Sequence, residues 1–222
     1  MTARRDRDRG RDENGPTSVL VSSCTFDHSR YMDGMAEMNT ERRTETMLDL
    51  KEVNREDAEA EWRFLRDMPA EENGVENKWH GCDRETFLSV ALPKLLSYAK
   101  GENLAEGHVA DTAFFLWADG EIVGLFKLRH WLSDALREGA GHIGYFVKPD
   151  CRGRGYGTEG LRLTLEKGRA IIPEEEFYLR LYKYNTPSLR VMQKNGGRIV
   201  GEDEEHYFVR IPKPGKPAER NG

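Results

Sequence analysis

The stretch Lys148-Pro149-Asp150-Cys151-Arg152-Gly153-Arg154-Gly155-Tyr156-Gly157-Thr158 decides how the rest of the chain is read. Ahead of it, His142-Ile143-Gly144-Tyr145-Phe146-Val147 is rich in apolar, β-branched and aromatic residues and predicts a strand. Behind it, residues 158–169 predict a helix ended near Gly168 and Pro173. A loop between strand end and helix start carries backbone N–H groups without partners in the helix, and an anion is their natural partner. Gly153, Gly155 and Gly157 lack Cβ atoms, so a pyrophosphate can approach the backbone and the chain can take φ > 0 where the turn requires it. From Lys148 to Arg169, six basic residues (148, 152, 154, 162, 167, 169) stand against three acidic ones (150, 159, 166), inside a chain of net charge −5.

Several readings compete for these glycines. Gly155-Tyr156-Gly157-Thr158-Glu159-Gly160 satisfies the dinucleotide GxGxxG pattern, but the acidic residue expected about 20 positions later is missing, and Arg180 to Tyr184 is basic and aromatic instead. A nucleotide-triphosphate loop needs GxxxxGK followed by Ser or Thr, and no such lysine follows. A third pattern, Arg-x-x-Gly-x-Gly, is filled by Arg152, Gly155 and Gly157. A structural turn with solvated arginines is the plain alternative.

Outward from the loop, Leu48-Asp49-Leu50 alternates as a strand, and Asn54 reads as the N-cap of a helix with Ala58, Trp62 and Leu65 on one face. Asp83 caps a second predicted helix, with Phe87, Val90, Ala91, Leu95 and Tyr98 inward, a kink at Pro93 and an end at Gly101. Residues 113–117 and 122–128 flank Asp119-Gly120 as a hairpin, and 131–140 reads as an irregular connector. Later come a strand at 177–182, a helix at 187–194 closed by Gly196-Gly197, and strands at 198–200 and 206–211. Antiparallel strands followed by a β-α-β crossover predict an α/β (α+β) domain with a mixed sheet and helices on its faces.

The 222 residues suit one domain. A charged fraction of 33% and mean hydropathy of −0.75 imply that part of the length is solvated tail. We expect a loosely packed leader at 1–46, in which Ser18 to Val21 is the one stretch suited to order, a domain at 47–212 and a loose tail at 213–222. No run approaches the roughly 20 apolar residues that a membrane crossing needs, and residues 1–14 are charged where a signal peptide would be apolar, so the expected location is cytoplasmic. Cys24, Cys82 and Cys151 have no metal or disulfide spacing, so no metal is expected. The acidic balance and pI near 5.8 argue against nucleic acid and mildly for a small cationic partner.

The Arg152 loop, the 142–147 strand before it, and Asn185-Thr186-Pro187-Ser188 through Lys194-Asn195-Gly196-Gly197 after it together resemble the GNAT N-acetyltransferase family, most of all its RimJ/RimL-like branch and a bacterial group of predicted acetyltransferases. The resemblance covers roughly 47–212. It implies a GNAT-like fold, a mostly antiparallel sheet with a splayed parallel pair, whose opening takes acetyl-CoA. Tyr145, Phe146 and Val147 would hold the pantetheine arm, Phe146 and Val147 by main chain. Arg152, Gly153, Arg154, Gly155, Tyr156, Gly157 and Thr158 would hold the pyrophosphate, and Asn185, equally suited to a helix cap, would lie near the thiol. The implied activity is transfer of an acetyl group from acetyl-CoA to a primary amine, a small molecule or a protein N-terminus, by direct attack through a tetrahedral intermediate, in a protein that is plausibly a homodimer.

Two departures bear on mechanism. The tyrosine that many members place seven residues after the asparagine is Met192 here, and the positions where several carry a glutamate base are Gly141, His142 and Arg180. His142 is therefore the first candidate for the base and Ser188 for the donor to the departing thiolate. Each also has an ordinary structural reading, as a hydrogen-bonded core histidine and a helix cap. By resemblance, Trp131, Leu136, Arg137 and Glu138 would line the acceptor side. The same departures support a rival reading, an acyl-CoA-binding sensor or scaffold without turnover.

Overall fold

A computed structural model of the chain describes residues 47–213. The expected leader with its Ser18–Val21 stretch, Cys24, and the tail beyond Lys213 lie outside the described residues. The elements are β1 (Leu48–Glu52), α1 (Ala58–Asp67), β2 (Glu71–Glu72), β3 (Val75–Glu76) and the continuous helix α2 (Arg84–Thr86, Phe87–Ala91, Leu92–Ala99). They continue as β4 (Asp111–Ala118), β5 (Glu121–Arg129), α3 (Asp134–Glu138), β6 (Ile143–Val147), α4 (Tyr156–Gly168), β7 (Glu176–Tyr182), α5 (Thr186–Lys194), β8 (Arg198–Glu202) and β9 (His206–Pro212).

The β4–β5 hairpin forms as expected, because Asp119 (φ 50) and Gly120 (φ 86) both take the left-handed conformation that a tight two-residue turn needs. Helix α1 starts later than expected. Asn54 Oδ1 accepts the Asp57 N–H at 2.8 Å, forming a turn ahead of the helix, and Asp57 occupies the cap position. Asp83 does cap α2, with Oδ1 accepting from Thr86 N at 2.7 Å. Pro93 does not break it. Phe87–Ala91 winds as a π-helix, and the wider turn lets the chain pass the proline and run on to Ala99. That wider turn also rotates the facing of the residues, leaving Val90 52% exposed rather than inward. The β2–β3 hairpin, turned at Asn73 (φ 52) and Gly74 (φ 80), and the short helix α3 inside the expected connector were not anticipated.

The strands form two larger sheets, ordered β1-β4-β5-β6 and β7-β9-β8, and every ladder in them is antiparallel. β6 and β7, the pair expected to splay, share no ladder. The sheets meet where Gly141 bridges Leu179 and His142 N donates to Tyr178 O at 2.6 Å. Helix α4, the crossover between these strands, packs on both sheets. A Cβ at Gly160 would lie 2.1 Å from the Phe126 ring of β5, and one at Gly168 2.7 Å from the Phe177 ring of β7. Two glycines two turns apart thus let one helix seat on both sheets. The apolar core under α4 includes Phe126, Leu161, Leu165, Phe177 and Val209. A second core on the opposite face joins α1 and α2 to the sheet through Phe64, Phe87, Phe115 and Phe146, with the Phe64 and Phe146 rings stacked at 6.0 Å.

Glu61, on the inner face of α1, is fully buried. Its Oε1 accepts the Asn54 N–H at 3.0 Å, while Oε2 has no partner among the described residues. Burial pushes its carboxyl up from 4.5 to about 8, so it is a neutral acid at pH 7. The unfolded chain releases this proton near pH 4.5 while the fold keeps it to about 8, so the stability it confers is full below 4.5 and is lost as pH rises toward 8. Glu61→Gln, which keeps an acceptor for Asn54, should raise the melting temperature at pH 8 but not at pH 4.5. Melting curves across that range check this, and an equal effect at both ends would contradict it.

Candidate active site

β6 is paired on one side only. Lys148 N donates to Val123 O (2.9 Å) and Arg129 N to His142 O (2.8 Å), which assigns residues 142, 144, 146 and 148 to the hydrogen-bonded positions of the β5–β6 ladder. The main-chain groups of Ile143, Tyr145 and Val147 therefore point away from β5, toward the gap before β7. Of these, only Val147 O has a partner among the described residues, Arg152 Nε at 3.0 Å. This corrects one expectation: the Phe146 main chain is turned toward β5 and its ring packs on Phe64, although the residue lines the cleft, so the main-chain groups open to an extended amide chain are those of Ile143 and Tyr145 and the N–H of Val147.

At the C-terminal end of this free edge, a 3-10 turn (Pro149–Cys151) leads through Gly153 (φ 78) and Gly155 (φ 89) into α4. The N–H groups of Gly153 through Gly157 donate to no acceptor among the described residues. A Cβ at Gly153 or Gly155 would meet nothing within 4 Å, so these glycines serve the left-handed turn rather than crowding. Gly157 serves closeness: a Cβ there would meet Val191 of α5 at 3.3 Å. Asn195 ties the same two helices, its Nδ2 donating to Thr158 O (3.0 Å) and Val191 O (2.9 Å).

The cation excess of this segment is smaller in space than in sequence. Arg162 is held by Glu159 and Glu166. Arg152 reaches across to Glu72 of the β2–β3 hairpin at 2.5 Å. Arg154 makes no ion pair among the described residues and flanks Gly155, and Arg190 and Lys194 of α5 line the cleft between β6 and β7. That cleft, about 510 Å3, brings together the β6 edge, the glycine loop, Asn185 and Ser188. A second cleft of about 460 Å3 opens on the α2 face of the sheet, and Val75, Gly144 and Arg180 line both.

His142 is not placed for catalysis. It is fully buried and lines neither cleft. Its Nδ1 accepts the Tyr178 N–H at 2.9 Å, and Nε2 lies 3.1 Å from Glu174 Oε2, so the neutral ring with hydrogen on Nε2 satisfies both partners. Burial lowers its pKa. For Glu174, burial acts to raise the pKa, but the bond from His142 and the other hydrogen bonds outweigh it, leaving an ionised carboxylate that also pairs with Arg137 at 2.9 Å. His142 is thus the pin between the sheets, which corrects the expectation that it is the base.

Ser188 is placed differently. Its Oγ lies 2.8 Å from Tyr145 Oη, inside the first cleft, and its N–H donates to Asn185 Oδ1 at 3.2 Å. Asn185 is therefore the α5 cap and also lines the cleft. Met192, at the position where the tyrosine is missing, is buried in the core and offers no hydroxyl; Tyr145 and Ser188, paired with each other, are among the hydroxyl-bearing residues that line the cleft. Tyr145 was expected only to contact the pantetheine arm; its pairing with a residue 43 positions away has no signature in sequence. Of the connector residues, Leu136 lines the second cleft, whereas Trp131, Arg137 and Glu138 line neither. Cys82 and Cys151 are free thiols.

Residues 29–198 match the acetyltransferase (GNAT) domain, and the chain belongs to that family of acetyltransferases. The match begins ahead of residue 47. Ribosomal-protein-S5-alanine acetyltransferase from Vibrio fischeri is similar in structure, with a TM-score of 0.56 at 17% identity over 78% of this chain and 99% of that one. RimJ from Mycobacterium smegmatis in complex with CoA-disulfide gives 0.52 at 23% identity over 74% and 81%. A spermidine N-acetyltransferase SpeG chimera from Vibrio cholerae and hSSAT gives 0.52 at 16% identity over 75% and 95%. At these identities the likeness is one of fold. No curated protein matches the sequence. Among the described residues no helix is long and apolar enough to cross a membrane, and no cluster of three or more His, Cys, Asp or Glu residues is placed to hold a metal.

His142→Ala removes a fully buried ring and leaves Tyr178 N and Glu174 without their partner. We expect a loss of roughly 2–4 kcal/mol of stability, read from denaturant melts. Because burial keeps the folded histidine neutral below its usual 6.5, the unfolded chain binds the extra proton, so wild-type stability should fall as pH drops below 6.5. This component of the pH dependence should be missing in the variant.

Proposed function

We propose that this protein transfers an acetyl group from acetyl-CoA to a primary amine, with the first cleft as the donor side and the second as the acceptor side. The observation that carries this reading is the free β6 edge: alternating N–H and C=O groups of Ile143 and Tyr145, with the N–H of Val147, suit the amides of a pantetheine arm, and the five free N–H groups at 153–157 suit its pyrophosphate. Arg154 supplies charge beside the loop. Arg152 joins it on release from Glu72. The two clefts meet at Gly144, where an amine entering from the second would reach a thioester lying in the first.

In this mechanism the amine attacks the thioester carbon, a C–N bond forms, the tetrahedral intermediate collapses with loss of the C–S bond, and the amine proton leaves to water. The departing thiolate takes a proton from Ser188 Oγ, which Tyr145 Oη replenishes, and the phenol recovers its proton from the solvent that took the amine proton. Burial pushes the Tyr145 phenol up to about 12, so it is protonated at neutral pH. No covalent intermediate on the protein is needed. The engagement of His142 by Tyr178 and Glu174, away from both clefts, favours a second reading, an acyl-CoA-binding module without turnover.

Titration of CoA, acetyl-CoA and NAD separately into melting experiments tests the donor cleft. At 100 times its dissociation constant a ligand adds about 2.7 kcal/mol. A CoA-specific rise that Arg154→Ala and Gly155→Val diminish is expected, and Glu72→Gln should strengthen it by freeing Arg152. No rise with CoA would remove the functional reading. Amine-dependent thiol release separates enzyme from sensor. For the enzyme, Ser188→Ala and Tyr145→Phe should each lower kcat by about 100-fold, with a smaller change in the KM for acetyl-CoA.

A further inference from the structure

The second cleft carries more positive than negative charge, in a chain that is negative overall. Lys78, Lys94, Lys127, Arg129 and Arg180 line it against Glu76 and Asp111. Each carboxylate has a lysine beside it. Asp111 Oδ2 holds Lys127 Nζ at 3.1 Å, while its Oδ1 has no partner among the described residues and is shut away from solvent, the residue being 4% exposed. Glu76 lies 3.6 Å from Lys78 Nζ. Lys94, Arg129 and Arg180 make no ion pair among the described residues, although Asp111 faces Arg129 across the β4–β5 ladder and favours its charge. Lys94 lies over the Tyr98 ring, 5.4 Å from its centre. Arg129, half-buried, spends one N–H on Gly141 O at 2.9 Å, and burial works against its charge. Arg180 is half-buried, its side chain makes no hydrogen bond or ion pair among the described residues, and it lines both clefts at their junction. His108 and His206, also on the cleft wall, add no negative charge.

A half-buried guanidinium with no counter-ion is costly unless a ligand supplies one. A cationic chain such as a polyamine would meet an excess of positive groups, with Asp111 shut away from solvent and Glu76 beside Lys78. The charge of the whole chain points toward a cationic partner, and the local charge of the cleft reverses that expectation, since the field a ligand meets is set by nearby groups more than by net charge. The cleft volume of about 460 Å3 matches a small molecule.

We infer that the acceptor is a small primary amine carrying an anionic group, a carboxylate or a phosphate, bound by Arg180 with Arg129 and Lys94. The inference rests on the assignment of the second cleft as the acceptor side and goes beyond it by naming the substrate class. Arg180 sits at the junction, so the anionic group lies within a few bonds of the amine, as in an amino acid or an aminoalkyl phosphate.

Size-matched pairs test this. Glycine against glycinamide varies the carboxylate, and phosphoethanolamine against ethanolamine varies the phosphate; spermidine and a short peptide with a free N-terminus complete the panel. Each is measured twice, by thiol release with acetyl-CoA and by the melting shift it causes in the presence of CoA, the second readout being independent of turnover. We expect at least one anionic member to be preferred over its neutral partner by about tenfold to 100-fold, the size of a charge-assisted hydrogen bond. Arg180→Ala should abolish that preference, Arg180→Lys should retain part of it, and Lys94→Ala, an exposed change without risk to folding, should weaken it.

No discrimination within either pair in both readouts, or a preference for spermidine or the peptide, overturns the inference. If CoA binds and only cationic amines are acetylated, the acyl-transfer reading stands and this inference falls. If thiol release fails but the melting shifts favour the anionic amines, the inference stands and turnover is what fails.

Discussion

The contact between Gly141–His142 and Tyr178–Leu179 is the point on which the site depends, because it joins two sheets without letting them zip together. Gly141 turns the chain at φ 68, and a Cβ there would sit 2.1 Å from Tyr178 O, so the approach is open to glycine alone. His142 then exchanges two bonds with Tyr178, giving its own N–H and receiving the Tyr178 N–H on a ring nitrogen. A side chain thus replaces the next rung of a ladder, and the strands part. The unpaired β6 edge that results would ordinarily be a liability. Here it is enclosed by α4, α5 and the β2–β3 hairpin, which makes it a lined cleft instead of an open edge.

That cleft is stabilised from both helices. Gly160 and Gly168 let α4 rest on β5 and β7 together, and Gly157 with Asn195 draws α5 against the first turn of α4. The same helix therefore sets the width of the opening and presents free N–H groups at its end. The hairpin adds a competing charge. Glu72 occupies Arg152, so in the proposed donor site an anion would meet the backbone amides and Arg154 before it could displace Glu72 from Arg152. The Tyr145–Ser188 pair lines the same cleft, with Ser188 N held by the α5 cap at Asn185.

Most of the element order was legible in the sequence because periodicity, caps and turn residues are local. Asp119-Gly120, Asp83 and Gly155 each act through their own backbone conformation, and each does as its residue type dictates. The misses have physical causes. Pro93 was read as a kink, and the π-turn at Phe87–Ala91 that precedes it has no signature in local propensity. The Asn73-Gly74 turn carries a hairpin too short for any periodic signal. His142 was chosen as a base on residue type and place in the chain, and both criteria are blind to Tyr178 and Glu174, which arrive from more than 30 residues away.

The sequence by itself determined the family, the strand-loop-helix unit, and the glycines that turn the chain into α4, since these rest on contiguous residues and backbone preference. The tertiary structure alone decided which groups face the cleft: the parity of the β5–β6 register, the Tyr145–Ser188 pair, the Glu72–Arg152 bond and the excess of cations around Arg180. Those are outcomes of pairing between distant segments. Burial and partner choice are properties of three-dimensional neighbours, and a one-residue change of register would turn a different set of main-chain groups to the gap with the same amino acids in the same order.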